Sequence, residues 1–208
     1  MYAFLPVARK YELKKRAERQ AQTRERIVEA TVELHRMVGP ARTTISAIAK
    51  QAGIERKTFY RHFPDPNGIL AACSAHYRAL HPPPDPREWQ AISDPRARLR
   101  RGLRAAYAYY RDNEAMMDNV LRDRQLGVPV GEGFLRHRAA AKAVLAEPFA
   151  LRGAGRRRLD AALDLALGFH TWQTLAPRGG LSDRRAVELM GALVEQAIAP
   201  GQPRRGRG

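Results

Sequence analysis

The segment GIERKTFYRHF, residues 53–63, gathers Arg56, Lys57, Arg61 and His62 around Phe59, Tyr60 and Phe63. Cationic side chains at this density answer to a polyanion, because each fixed cation can replace a mobile counterion on a phosphate chain. Groups that break bonds are not assembled elsewhere. No HExxH, GxSxG, glycine-rich phosphate loop or zinc-ligand spacing occurs. Asp160 and Asp164 share a helical face, which is the arrangement of an ordinary solvated stripe. The single Cys73 cannot form an intramolecular disulfide and reads as a small buried side chain. Recognition rather than catalysis is expected, with no cofactor and no metal.

Helices must position these side chains, since apolar periodicity is helical throughout and no stretch alternates as a strand would; the fold class expected is all-α. From Thr23, Ile27, Ala30, Thr31, Leu34 and Val38 fall at helical spacing until Gly39-Pro40 stops the run. The basic stretch before Thr23 is helix-permissive and either extends this helix or forms a flexible arm. In TTISAIAKQAG, Thr44 is the expected N-cap of a short second helix and Gly53 its left-handed terminator. Residues 55–63 then read as a third helix. Phe59 and Phe63, four apart, face the core, and Arg56, Lys57, Tyr60 and Arg61 point away from it. Two short helices joined by a glycine turn, the second with an exposed basic face, describe a helix-turn-helix.

A fourth helix is expected from Asp65-Pro66 to Leu80, and HPPPDP, residues 81–86, marks a boundary. Short helices starting at Asp85-Pro86 and Asp94-Pro95 follow, then one over residues 113–126 and one over 134–147. Two strongly apolar helices, about 157–175 and 183–199, close the body. The domains expected are a basic arm (1–22), a helix-turn-helix domain (23–80), a helical body (85–199) and a basic, disordered tail (200–208). A helix apolar on more than one face needs covering on more than one side, which makes the last two helices candidates for a dimer interface.

Charge supports the same direction. The 208 residues hold 37 Lys plus Arg against 21 Asp plus Glu, net +16. Residues 1–63 hold 14 and 6 of these, net +8, so less than a third of the chain carries half of the excess. Arginine outnumbers lysine throughout, and a generally arginine-rich composition would also raise the total. No apolar run reaches the roughly eighteen residues of a membrane span, and the first ten residues lack the order of a secretory signal. A cytoplasmic protein is expected.

The run TRERIVEATVEL…TTISAIAKQAGIERKTFYRHFPDPNGIL, from Thr23 to about Leu70, resembles the N-terminal DNA-binding domain of the tetracycline-repressor (TetR) family of bacterial transcriptional regulators. The Thr-Thr before the second helix, the Ile-Ala-x-x-Ala-Gly-Ile turn and Thr-Phe-Tyr-x-x-Phe occur together and in order. The resemblance implies that Thr58 and Tyr60 touch the DNA backbone, that His62 faces a second phosphate, and that Arg56 and Lys57 reach base edges. It lets Thr44 cap its helix and lie beside a phosphate; Arg61 is on the same exposed face. Two departures stand out. Glu55 replaces the usual Ser or Thr cap, and PDPNG replaces Ser-Lys-Glu, removing a lysine that commonly contacts phosphate. The basic arm, with Lys10, Lys14, Lys15, Arg16 and Arg19, is the candidate replacement.

The resemblance further implies a homodimer on a palindromic double-stranded operator and a small-molecule effector held by the C-terminal body, with no membrane partner. Tyr107, Tyr110, Met116, Met117, Leu121, Phe134, Phe169, His170 and Trp172 are candidates to line that pocket; His170 also reads as a hydrogen-bonded core histidine. A ligand-independent DNA-organising protein and an anionic-membrane-surface binder remain as alternatives.

Overall fold

The computed structural model describes residues 5–129 and 131–199, without the side chains of residues 5–10 and 66. The tail expected at 200–208 lies outside the described residues. Every regular element among those described is helical, so the fold is all-α. The chain divides into two units, Met1–Pro82 with Asp118–Gly131, and Pro83–Met117 with Glu132–Gly208.

In the first unit, α1 (Leu5–Val38) runs unbroken through the residues before Thr23, so the basic stretch extends the first helix. Among the described side chains, only those of its C-terminal half form a buried stripe: Ile27, Val28, Ala30, Thr31 and His35. The helix stops at Gly39, whose φ of +92° suits glycine, and Pro40 opens a turn of 3-10 helix. Helices α2 (Ile45–Gln51), α3 (Arg56–His62) and α4 (Pro66–Leu80) complete the unit's N-terminal part. Their apolar faces close one core of Ile27, Val28, Ala30, Ile48, Ala52, Phe59, Phe63, Ile69 and Cys73. Asp65 caps α4 by accepting from the Asn67 amide at 3.0 Å, with proline in the first turn where a missing N–H costs nothing.

Residues 118–131, expected with the C-terminal body, join this unit instead. The reason is a polar clamp on the end of α1 from α6 (Glu114–Gln125). Asn119 donates to the carbonyls of His35 and Arg36, at 3.2 and 2.8 Å, and Arg122 to that of Val38 at 3.1 Å. The buried Asp123 carboxylate accepts from the Ala41 amide at 2.8 Å and from Arg122 Nε at 2.8 Å. Carbonyls orphaned at a helix end, and amides in the turn beyond it, are thus satisfied by side chains. A Cβ on Gly39 would lie 2.3 Å from the Arg122 guanidinium and 2.4 Å from the Asp123 carboxylate, so the clamp and a side chain at 39 exclude each other.

The second unit begins with a 3-10 turn at Pro86–Trp89, then α5 (Pro95–Asp112), capped by Asp94, which accepts from the Ala97 amide at 2.8 Å. Helices α7 (Glu132–Ala146), α8 (Gly153–Ala166), α9 (Phe169–Leu175) and α10 (Asp183–Ile198) follow. One buried cation, Arg98, makes four hydrogen bonds. It donates to the carbonyls of Ile92, Gln90 and Val144 and pairs with Glu147 at 2.6 Å, fastening the loop before α5 to the end of α7. Ion pairs of Arg96 and Arg100 with Glu195, and of Arg111 with Asp183, lace α5 to α10.

The single helix expected over 157–175 is two helices. Leu167 and Gly168 leave the helical path between α8 and α9. The carbonyls of Ala166 and Leu167 accept instead from the hydroxyls of Tyr107 and Tyr110, at 2.9 and 2.7 Å. Burial pushes both phenols above their ordinary pKa, which keeps them protonated as donors.

Candidate nucleic-acid interface

Local chemistry builds the helix-turn-helix. Thr44 is extended and its hydroxyl oxygen accepts from the Ala47 amide at 3.1 Å, which starts α2. The hydroxyl proton is left to donate outward. Gly53, at φ +63°, turns the chain with open space where a Cβ would be, and the Ile54 amide closes onto the Ala49 carbonyl at 3.0 Å. Helix α3 then hangs on two anchors: Phe59 and Phe63 are buried with ring centroids 5.8 Å apart.

With those rings inside, the opposite face is fixed. Arg56, Lys57, Tyr60 and Arg61 are exposed and Thr58 is half-buried. The Tyr60 ring meets Phe59 edge-on at 5.7 Å, which steadies its phenol at the surface. Arg56 and Arg61 form no ion pair among the described residues, whereas Lys57 lies 2.9 Å from the Glu55 carboxylate. Glu55 makes no side-chain cap to α3, so its charge is turned onto Lys57.

His62 departs from the outward orientation implied for it. It is half-buried, and its Nε2 is covered with no hydrogen-bond partner among the described residues. Burial, then the neighbouring Arg61 and Arg24, hold it below the usual histidine pKa. Arg24, not singled out from the sequence, stacks its guanidinium 4.3 Å above the Phe63 ring and so stands at the carboxyl end of α3. No local pattern marks it, because the contact spans two helices. Lys14, Lys15, Arg16 and Arg19 lie farther up α1, all exposed.

The model for bacterial regulatory proteins, tetR family, matches residues 27–73. The helix-turn-helix segment of this chain belongs to that family. Several solved structures share the fold over most of the chain. A candidate fatty acid metabolism regulator from Clostridium perfringens is 15% identical with a TM-score of 0.59, over 85% of this chain and 100% of that one. A TetR-like transcriptional regulator from Rhodococcus sp. RHA1 is 18% identical with a TM-score of 0.57, over 86% and 97%. A TetR transcription regulator from Haloarcula marismortui is 18% identical with a TM-score of 0.52, over 86% and 97%. At these identities the likeness is one of fold. No curated protein matches the chain.

The TetR family is one of regulators rather than enzymes, and among the described residues no three His, Cys, Asp or Glu gather to hold a metal ion. Asp160 pairs with Arg156 and Asp164 with Lys142, so the carboxylates on α8 are neutralised at the surface. No helix among the described residues is long and apolar enough to cross a membrane.

The effector-pocket candidates divide. Tyr110 is the hub of an aromatic cluster, with Tyr107, Phe134, Phe169 and Trp172 centroids between 5.7 and 6.2 Å away. Trp172 Nε1 donates to Asp183 at 2.9 Å. Met116 and Met117 are buried in the same unit. His170 is not a core histidine. It is exposed, because the break at Gly168 resets the phase of α9 and turns Phe169, Trp172 and Gln173 inward. Leu121 belongs to the first unit, on the stretch of α6 that clamps α1.

Proposed function

We propose that this protein is a ligand-responsive transcriptional regulator, acting as a repressor, that binds a palindromic DNA operator as a homodimer. The supporting observation is the pair of buried rings, Phe59 and Phe63, which leaves Arg56, Tyr60 and Arg61 exposed along one side of a short helix behind a glycine turn. In this reading α3 lies in the major groove. Arg56 and Lys57 reach base edges, and Thr44, Thr58, Tyr60 and Arg61 hold phosphates and set the register. His62, with Nε2 covered, supports α3 from within. One such motif reads few bases, so two copies related by a two-fold axis are needed, with recognition helices about 34 Å apart. Leu165 on α8 and Leu189 and Leu193 on α10 remain exposed on two helices packed together, which supports their use as the dimer surface.

Regulation follows if a small molecule binds the helical body with different affinity in the DNA-spacing and non-spacing states, since equal affinity shifts nothing. Such a protein works in the cytoplasm, on the nucleoid. Selection of bound sequences from a random duplex pool tests the reading. An inverted repeat with half-sites about one turn apart is the expected outcome. Retention of DNA without enrichment would instead fit a DNA-organising protein, and no retention of any duplex would overturn the proposal.

A further inference from the structure

Residues 11–22 of α1 bury no side chain in the fold. Every residue from Tyr11 to Gln22 is exposed, and the helix meets the core only from Thr23 onward. A polar helix of this length without tertiary support is marginal in water. Its composition is one-sided: residues 5–22 hold six Lys or Arg and two Glu. Lys14, Lys15, Arg16 and Arg19 are exposed and form no ion pair among the described residues. Its starting point is specific as well. At Arg24, stacked on the Phe63 ring, α1 passes the carboxyl end of α3, so the arm leaves the fold beside the recognition helix.

We propose that this arm is a second DNA-contacting element that grips phosphates of the duplex flanking the operator; the proposal rests on the reading of α3 given above. At 1.5 Å per residue, the stretch 5–22 extends about 27 Å, the length of about eight base-pair steps. The four cations add affinity that is indifferent to sequence and strongly dependent on salt, and the phosphates complete the support that this half of the helix lacks.

The experiment compares the full chain with a K14Q/K15Q/R16Q/R19Q variant, glutamine being a good helix former. Each is titrated against a duplex trimmed to the selected operator and one extended by about ten base pairs on each side, across a range of salt. On the extended duplex the variant should lose about 3.6 from the log–log salt slope per bound chain, at about 0.9 per phosphate for four cations, and on the trimmed duplex it should match the unaltered protein. Equal slopes on the extended duplex, or equal losses on both duplexes, would overturn the arm. In the second case the cations would be acting within the operator. An R56A variant serves as control: if it alone loses sequence preference, the reading of α3 stands whatever the arm does. Failure of the unaltered chain to retain either duplex sinks both. Binding to anionic phospholipid vesicles that the four substitutions abolish, with DNA slopes unchanged, would assign the arm to a membrane surface and overturn the proposal.

Discussion

At the head of α3, Glu55 stands where an uncharged cap would suit DNA better, and Lys57 draws its carboxylate aside. Both side chains are well exposed, so the pair contributes under about 1 kcal/mol and Lys57 can exchange it for a phosphate or a base. Arg56 has no such competitor among the described residues. Arg56→Ala is expected to flatten preference at one base position by about 1–3 kcal/mol, whereas Tyr60→Phe should weaken all sequences alike. Titrations against a panel of single-base operator variants separate the two outcomes. The outward orientation of these residues was legible from Phe59 and Phe63, four apart. That of His62 was not, because the neighbours that cover and repel it include Arg24 on another helix. A second residue-scale effect concerns stability. His35 is buried beside Cys73, with Sγ and Nδ1 3.7 Å apart, and burial lowers its pKa to about 4 against a weaker opposing pull from Asp123. The unfolded chain binds this proton from about pH 6.5 downward and the folded chain only near 4, so unfolding takes up a proton between these values. Stability should therefore fall by about 3 kcal/mol as pH drops from 6.5 to 4, and level off below. His35→Leu should remove that part of the decline in urea unfolding measured at a series of pH values.

Among the elements, the break between α8 and α9 best separates what sequence shows from what packing decides. Apolar residues run through it without pause, since Ala166, Leu167 and Phe169 are all buried, and Gly168 alone marks it. The groups that stabilise the break, Tyr107 and Tyr110, sit 59 and 57 residues upstream of the carbonyls they satisfy. A periodicity read along one segment cannot see a hydrogen bond supplied from another. Tyr110→Phe should leave the Leu167 carbonyl buried and unpaired, lowering stability by about 1–3 kcal/mol in denaturant unfolding while helix content is kept. Caps told a different story. Thr44, Asp65, Asp85 and Asp94 all accept the amide bonds their types implied, because an N-cap is decided within three residues. The phase of α9, and with it the exposure of His170, was lost with the break.

For the molecule as a whole, all-helical architecture was readable from periodicity, but the return of residues 118–131 to the first unit was not. That return depends on Asn119, Arg122 and Asp123 meeting carbonyls and an amide about 80 residues away, and no pattern within α6 announces it. Assembly is the remaining property at this scale. Leu165, Leu189 and Leu193 are 56%, 41% and 48% exposed on two helices packed together, apolar surface that a second copy would remove from water. Leu189→Glu combined with Leu193→Glu should convert the expected dimer to monomer in sedimentation velocity, with circular dichroism unchanged; a dimer that persists would place the contact elsewhere. The free cations of the α1 arm bear on how that mass is read. If the arm binds polyanions as proposed, it would carry cellular polyanion through purification, and fragments bridging two arms would sediment as false oligomers in dilute buffer. True association through leucine surfaces strengthens or holds as salt rises, while bridging dissolves, so ionic strength itself distinguishes the two.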